Sequence, residues 1–344
     1  MKMAPIIESL KNNSEKVIVV HTGQHYDNNM SQNILDDLEM DDPDYHLGIM
    51  QGSHAQQTAK IMINFENICN EILPKLVIVA GDVNSTLACA LVAAKLQIKV
   101  AHVESGLRSF DMSMPEEINR KATDHISDIL FTTEKSANAN LKKEGIDDYR
   151  VHFVGNCMID SLLKFIPVAK KLAPWKEYGF LGQDYILVTL HRPSNVDNLD
   201  DLAKFINMMN QISKNIGILF PAHPRTKKNI NSFGLHLSKS INIIDPLPYI
   251  EFLGLLSNAR IVLTDSGGIQ EETTTLKIPC VTLRNNTERP ITVDEGTNIL
   301  AGTEPDSIIP IINRIAEGSI KKGSIPPLWD GKSAQRITNI IAKI

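Results

Sequence analysis

Short apolar runs rich in β-branched residues recur along the whole chain and alternate with segments of helical character. The runs cover residues 17–21, 76–80, 100–103, 129–132, 185–190, 216–220, 241–244, 261–264 and 280–283. Strands separated by amphipathic segments of about 10–20 residues are typical of parallel sheets built from β-α-β units. The alternation therefore predicts an α/β protein.

The chain is long enough for two domains, because single cores stop growing at about 250–300 residues and this sequence has 344. The alternation is interrupted by a predicted helix at 158–172 and then by Pro174, Trp175 and two glycines. We expect two Rossmann-like, doubly wound domains that face a cleft, at 1–157 and 158–329. A C-terminal helix within 330–344 is expected to pack back on the first domain.

The composition argues against several classes of protein. Thirty-five Lys and Arg against forty Asp and Glu give a net charge of -5, which offers no general attraction for nucleic acid or an anionic membrane. Four scattered cysteines without CxxC spacing favour buried thiols over zinc or disulfides. No apolar run has the roughly 18 residues of a membrane span, and no secretion signal is evident. We expect a cytoplasmic protein.

Polar or glycine-rich turns directly follow five of the predicted strands. They are GDVNST at 81–86, ESGLR at 104–108, HRPSN at 191–195, PAHPR at 221–225 and DSGG at 265–268. One such turn could be only a helix cap, since Asp, Ser and Asn cap helices in many proteins. Ligands of open α/β sheets bind beyond the carboxyl ends of the strands. Five turns together therefore predict a binding site.

The turn DSGG has the properties of an anion site. Ser266 can cap the following helix, Gly267 and Gly268 allow close approach of a ligand to the backbone, and the first N–H groups of the helix favour a phosphate. Neither the Walker A loop nor GxGxxG occurs here. Glu272, one turn further on, could accept hydrogen bonds from ribose or simply lie on a solvated helix face.

The segment HVESGLRSFDMSMPEEINR at 102–120 crowds carboxylates beside arginines. Glu104 directly follows a buried-type strand, and Glu116 follows a proline that restricts the chain. Crowded or half-buried carboxylates have raised pKa values and can transfer protons near neutral pH. Asp82, Glu104 and Glu116 are therefore candidate acids and bases, with ordinary ion pairing as the alternative for each.

His191 and His223 each follow a predicted strand of the second domain and precede an arginine by one or two positions. No HxxxH spacing or His/Asp cluster accompanies them, so phosphate contact or proton transfer is favoured over metal binding. A structural histidine is the alternative for both.

Four motifs, in this order and spacing, resemble those of the non-hydrolysing UDP-N-acetylglucosamine 2-epimerases: HVESGLRS…MPEEINR, VTLHRPSN, LTDSGGIQEE and RNNTERP…GT. The resemblance extends from Lys2 to the C-terminus. It implies a GT-B fold, a homodimer and a UDP-sugar substrate, with no metal or nicotinamide cofactor. The implied reaction is anti elimination of UDP to 2-acetamidoglucal, followed by re-addition with the proton returned to the other face of C2.

The resemblance also implies roles for individual residues. The catalytic residues of the family fall on Asp82, Glu104, Glu116 and His191. The diphosphate-binding turn of the family falls on Ser266, Gly267 and Gly268, and the carboxylate that binds ribose falls on Glu272. Arg289 corresponds to a diphosphate or sugar contact, and Phe252 corresponds to the residue that packs on uracil. We further expect three substrate contacts at Lys2, Arg108 and His223.

Two departures from the family pattern stand out. Family members begin with a strand and a GTRPE loop, whereas this sequence starts within the segment that follows them, so we expect the natural product to start upstream. Some bacterial members bind a second UDP-GlcNAc as an activator through a QH turn and an Arg-Gln pair. Here Gln24, His25 and Gln57 are present, but Gln56 replaces the arginine.

Three other functions stay open at the level of sequence. The first is epimerisation of a modified UDP-sugar, such as a diacetamido-uronate. The second is glycosyl transfer, which would require an acceptor site, and the third is sugar-nucleotide binding without catalysis.

Overall fold

The computed structural model describes residues 1–23, 35–49, 52–319 and 321–343. Within these ranges the chain forms two compact units, Met1–Ser161 with Pro327–Ile344, and Leu162–Pro326. Every strand pairing is parallel. The predicted α/β class is confirmed.

The strands, in chain order, are β1 Val20–His21, β2 Tyr45–His46, β3 Leu76–Ala80, β4 Lys99–Ser105, β5 Ile129–Thr132, β6 Val151–Phe153, β7 Tyr185–Thr189, β8 Gly217–Pro221, β9 Ile241–Ile244, β10 Ile261–Thr264, β11 Cys280–Thr282 and β12 Asn298–Leu300. All nine predicted strands are present, although only the last two residues of the run 17–21 are extended in a ladder. The predictions missed β2, β6 and β12.

The α-helices are α1 Ala4–Asn12, α2 His54–Ile72, α3 Asn84–Lys95, α4 Pro115–Ile126, α5 Lys135–Lys143, α6 Cys157–Leu172, α7 Pro193–Val196, α8 Leu199–Ile212, α9 Pro224–Ser232, α10 Tyr249–Asn258, α11 Gly267–Leu276, α12 Pro290–Asp294, α13 Pro305–Ala316 and α14 Ser333–Ile341. In the part of the chain that the structure describes, two short 3-10 helices lie at Asp148–Arg150 and Pro174–Lys176. The helix predicted at 158–172 is α6, and it passes from the first unit into the second.

The first unit contains a four-stranded sheet in the order β3-β4-β5-β6 and a separate β1-β2 pair. Apolar side chains of α1 and α14, including Ile6 and Ile337, pack with Val103 and Phe131 of the sheet. Side chains of α2 and α3 form a second cluster with Val77, Val79 and Val100. Coverage of both faces explains why these strands appear in the sequence as unbroken apolar runs rather than alternating ones.

The second unit contains a six-stranded sheet in the order β9-β8-β7-β10-β11-β12. In terms of the unit's own strands this is 3-2-1-4-5-6, the order of a doubly wound nucleotide-binding domain. The chain leaves β7 in one direction across the sheet and returns to β10 on the other side of it. The carboxyl ends of β7 and β10 therefore mark the place where such a sheet binds its ligand.

Candidate active site

Two neighbouring strands of the second unit bring His191 and Asp265 together at this switch point. The register pairs Thr264 of β10 with Thr189 of β7, so the residues that follow the two strands are adjacent. His191 Nδ1 lies 2.7 Å from Asp265 Oδ1. The imidazole is 55% exposed, whereas the carboxylate is fully buried.

Asp265 serves as an anchor for the whole turn that follows β7. It accepts hydrogen bonds from the backbone N–H groups of His191 and Arg192 and from Asn195 Nδ2. Burial alone would raise the pKa of Asp265, but the bonds from His191 and Arg192 hold that pKa below its ordinary value. An ionised Asp265 orients the ring so that Nδ1 faces the protein and Nε2 is directed away from it.

The turn after β10 leads into α11 with an exposed helix start. Ser266 occupies the N-cap position with an extended backbone, and within the described ranges its hydroxyl makes no cap bond to the helix. A Cβ added at Gly267 would lie 2.6 Å from Glu288 Oε1, so no other residue fits there without displacing that side chain. Ser266 thus lies at the predicted cap position but does not make the predicted cap bond, and the ligand contacts expected at Gly267 and Gly268 stay predictions.

Arginines and carboxylates form a dense charged group next to α11. Arg289 Nε lies 2.6 Å from Glu271 Oε1, and Arg284 Nη2 donates to Glu288 Oε2 at 2.8 Å. Although burial opposes ionisation, Arg289 and Arg284 hold the pKa of Glu288 well below its ordinary range. Sequence reasoning selected Arg289 but missed Arg284, whose Nη1 is buried without a hydrogen-bond partner in the described structure.

Glu272 lies one turn into α11 and is 3% exposed. It accepts a hydrogen bond of 3.1 Å from the hydroxyl of Tyr249 at the start of α10. Burial raises the pKa of Glu272 to about 7, with a further contribution from the neighbouring Glu271. Phe252, on the same helix as Tyr249, is half-buried. Sequence reasoning did not single out Tyr249.

His223 occupies a different kind of position from His191. It is exposed, and its ring nitrogen Nδ1 accepts a bond of 3.2 Å from the backbone N–H of Arg225. The side chain thus caps its own helix, α9. Its role as a substrate contact stays a prediction.

In the first unit, Glu104 is held in a strained backbone conformation at the end of β4. Its φ is +69°, in the left-handed region that side chains other than glycine rarely adopt. The register between β4 and β5 shifts between Val103 and Ser105, so a bulge re-aims this residue. Lys2 Nζ lies 2.6 Å from Glu104 Oε2, and the Glu104 side chain is only 4% exposed.

Asp82 follows β3 and is fixed by two neighbouring residues of α4. Arg120 donates to Asp82 Oδ2 from Nε at 2.9 Å, and Asn119 Nδ2 donates to the Asp82 carbonyl at 2.9 Å. Arg120 also pairs with Glu117, which is buried and accepts the backbone N–H groups of residues 109 and 110. Glu117 is therefore part of the scaffold, whereas Glu116 beside it is half-buried.

Arg108 is bonded inside the protein. It is 2% exposed, and its guanidinium contacts Asp124 Oδ2 at 2.7 Å and Glu144 through both Nε and Nη2. A contact with substrate would require one of these bonds to be exchanged. The role of Arg108 as a substrate contact stays a prediction. Its bonds to Asp124 and Glu144 were not predicted from the sequence.

The residues named for an activator site are only partly described. Gln24 and His25 lie outside the described residues. Gln57 is buried and accepts from Asn84 Nδ2 at 3.0 Å, and Gln56 forms a capping box with Ser53 at the start of α2. Both glutamines thus have contacts within the first unit.

In the described ranges, no helix combines the length and apolar character needed to cross a bilayer. The same ranges contain no cluster of three or more His, Cys, Asp and Glu side chains arranged to hold a metal ion.

The chain thus joins a doubly wound six-stranded sheet to a second parallel sheet, and this combination defines an α/β protein of the GT-B class. The family model for UDP-N-acetylglucosamine 2-epimerase matches residues 8–342. The chain belongs to this family, and the resemblance read from its four motifs is confirmed.

Individual relatives agree with this family. The chain is 44% identical to the UDP-N-acetylglucosamine 2-epimerase of Methanococcus maripaludis over 99% of its own length and 94% of that protein. It is 41% identical to the UDP-2,3-diacetamido-2,3-dideoxy-D-glucuronate 2-epimerase of Pseudomonas aeruginosa over 95% and 91% of the two chains. The crystal structure of the Methanocaldococcus jannaschii UDP-GlcNAc 2-epimerase with UDP-GlcNAc and UDP has a TM-score of 0.92 at 43% identity, covering 100% and 96%.

Proposed function

We propose that the protein binds UDP-N-acetylglucosamine and interconverts it with UDP-N-acetylmannosamine. The observation that carries the proposal is the presence of three candidate acid–base carboxylates in the first unit of a chain of this family, two of them at the ends of β3 and β4. Asp82 forms an ion pair with Arg120, and Glu104 forms one with Lys2. The third carboxylate, Glu116, lies in the first turn of α4.

The chemistry explains why such groups are needed. The C2 proton of the sugar is weakly acidic, so its loss must be coupled to cleavage of the C1–O bond. One carboxylate removes the C2 proton while the electron pair of the C1–O bond leaves with UDP, which gives 2-acetamidoglucal. UDP then adds back at C1, and a carboxylic acid returns a proton to the opposite face of C2.

The second unit supplies the groups that suit the leaving UDP. The N–H groups at the start of α11, with Ser266, Gly267 and Gly268, and the Arg289 guanidinium would stabilise the diphosphate charge as the bond breaks. Glu272 would accept from the ribose hydroxyls, and Phe252 would pack on uracil. His191, oriented by Asp265, would present Nε2 to the diphosphate or the sugar.

Incubation with UDP-GlcNAc in deuterated water tests the proposal. Elimination and re-addition must place solvent deuterium at C2 of the UDP-ManNAc that forms and of the returned UDP-GlcNAc. Release of UDP with sugar transfer to an acceptor would identify a glycosyltransferase instead. Saturable binding without either exchange or UDP release would identify a non-catalytic binder.

A second substrate is favoured by one specific observation, the 41% identity to the diacetamido-glucuronate epimerase of P. aeruginosa. That substrate differs from UDP-GlcNAc by a carboxylate at C6 and an acetamido group at C3. Comparison of kcat/KM for the two UDP-sugars decides between them. If kcat/KM for the uronate exceeds that for UDP-GlcNAc by more than about 100-fold, a difference of roughly 3 kcal/mol in transition-state free energy, the uronate is the preferred substrate.

We also propose that the protein is a homodimer. Apolar side chains are exposed on α4 and the loop before it, with Ile118 50%, Met112 55% and Phe110 73% exposed. Ile118 lines an open pocket with Ala55 and Met62 of α2. Light scattering should give twice the chain mass of 38.2 kDa. The Ile118→Glu variant should give the mass of a single chain. A monomeric parent chain would exclude the dimer.

A cytoplasmic location is consistent with the four cysteines, Cys69, Cys89, Cys157 and Cys280, which are free and buried. Free buried thiols are usual in proteins of reducing compartments. We therefore propose that the enzyme is located in the cytoplasm.

A further inference from the structure

His102 is a buried histidine at the centre of the first unit's charged network. It lies on β4 and has no exposed surface. Its Nδ1 is 2.7 Å from Asp124 Oδ1, and its Nε2 is 2.8 Å from the carbonyl oxygen of Gly81. The mechanism proposed above makes no use of this residue.

Both partners of the ring are hydrogen-bond acceptors. A backbone carbonyl can only accept, and an ionised carboxylate can only accept, whereas a neutral imidazole has one N–H and one bare nitrogen. Bonds to both partners therefore require two N–H groups, which only the imidazolium has. A neutral ring would place a lone pair against either Gly81 or Asp124 inside the protein.

The surroundings of Asp124 keep it in the ionised form that this arrangement needs. Its second oxygen contacts Arg108 Nη2 at 2.7 Å and accepts from the backbone N–H of Gly106 at 3.1 Å. Although burial favours the neutral acid, His102 and Arg108 hold the pKa of Asp124 below its ordinary value. Glu144 pairs with Arg108 on its other side, so the four charges sum to zero.

The network joins the two turns that carry proposed catalytic carboxylates. Gly81, whose carbonyl binds His102, directly precedes Asp82, and its own N–H donates to the Val103 carbonyl at 3.1 Å. Gly106, whose N–H binds Asp124, follows Glu104 by two residues. The positions of Asp82 and Glu104 thus depend on the same buried pair.

We propose that His102 is a protonated positioning residue whose two N–H bonds, to Asp124 and to the Gly81 carbonyl, set the turns of Asp82 and Glu104 relative to each other. Its effect on catalysis rests on the proposed function, whereas its charge state does not. Small errors in such placement matter, since a shift of about 1 Å in a reacting group can reduce the rate about 100-fold.

Nitrogen NMR of the wild-type protein tests the charge state without any activity assay. With histidine labelled with 15N, the signal absent from the spectrum of His102→Gln identifies the ring among the ten histidines. At pH 7.5 both nitrogens of His102 should show the shift of a protonated imidazolium nitrogen. An unprotonated nitrogen at either ring position overturns the proposal. This includes the case in which the proton lies on Asp124 and the ring is neutral.

Kinetics of His102→Gln test the positioning role. The Gln amide can still donate to Gly81 but lacks the charge and the second donor. We expect kcat for epimerisation to fall about 10- to 100-fold, with KM and UDP affinity within about threefold of wild type. Asp124→Asn removes the counter-charge and should give the same pattern. His152→Gln, on strand β6 of the same sheet, serves as the matched control and should retain full turnover.

The outcomes separate the possible failures. A lower melting temperature with unchanged kcat in His102→Gln or Asp124→Asn would mean that the pair only stabilises the fold, and would overturn the positioning role. If His102→Gln does not fold, Asp124→Asn supplies the kinetic test. If the wild type makes no UDP-ManNAc, the proposed function fails, and the NMR result alone decides the charge state of His102.

Discussion

Replacement of Glu272 by glutamine should stabilise the second unit at neutral and alkaline pH while it weakens UDP binding. The carboxyl group is buried against Tyr249, and burial raises its pKa from 4.5 to about 7. The folded protein therefore holds the proton more tightly than the unfolded chain. Stability contributed by the neutral acid is fully present below pH 4.5 and is lost as the pH rises through 7.

The size of this effect follows from the two pKa values. The difference of about 2.5 units corresponds to about 3 kcal/mol, at about 1.4 kcal/mol per unit. Glutamine has the same shape, keeps an acceptor for the Tyr249 hydroxyl and cannot ionise. The gain in unfolding free energy for Glu272→Gln over wild type should be about 1 kcal/mol at pH 5 and about 3 kcal/mol at pH 8.

Chemical denaturation at a series of pH values measures this difference, with Glu295→Gln, an exposed position of the same unit, as control. The control should differ from wild type by no more than about 0.5 kcal/mol at any pH. An equal gain for Glu272→Gln at pH 5 and pH 8 would refute the reasoning. In the same proteins, wild-type UDP affinity should fall as the pH drops below 7, and the fall should be smaller in Glu272→Gln, in which only protonation of the UDP terminal phosphate, at about pH 6, remains.

Three further predictions concern the proposed site. The proposed acid–base carboxylates are replaced by amides in Asp82→Asn, Glu104→Gln and Glu116→Gln, and each variant should lose at least about 100-fold in turnover with far less change in UDP affinity. Near wild-type turnover in two of the three would reject the assignment. Ser266→Ala and Arg289→Ala should each weaken the binding of UDP measured by calorimetry, because the wild-type side chains would contact UDP before and after bond cleavage. Unchanged UDP affinity in both variants would show that the diphosphate does not bind at the start of α11. Asp265→Asn should lower kcat about 100-fold, since the His191 ring loses its orienting carboxylate, and a rate equal to wild type would show that His191 acts without it.

The alternation of apolar runs and helices was sufficient to predict the α/β class, because strands buried on both faces leave an uninterrupted apolar signature. The short strands escaped detection for a physical reason. β12 begins with Asn298, whose buried amide bonds to Gln270 and Thr292, so its place in the sheet depends on partners distant in the sequence. The strand order, and with it the switch point, is likewise a property of long-range pairing.

In the candidate site, too, some residues could be predicted from the local sequence, whereas others depend on contacts between residues distant in the sequence. Residues that directly follow the predicted apolar runs, such as Glu104 and His191, could be selected from sequence because the ends of parallel strands meet at one edge. The residues that hold other side chains in place could not be singled out in this way. Asp265, Tyr249 and Asp124 look like ordinary polar residues until the fold brings them within 3.1 Å of His191, Glu272 and His102, respectively. Arg108 shows the opposite case, in which a residue close to a proposed catalytic carboxylate, Glu104, is bonded into the scaffold.

The backbone at Glu104 sets a limit on how this protein can be made more robust. A side chain in the left-handed region costs roughly 1–2 kcal/mol that glycine would not. Wherever this relief exceeds the loss of the Lys2–Glu104 ion pair, a selection for heat resistance alone favours glycine at this position and discards the carboxylate that we propose for catalysis. Variant libraries screened by survival of folded protein should accumulate inactive Glu104→Gly clones, so engineering of this enzyme for stability has to select for turnover at the same time.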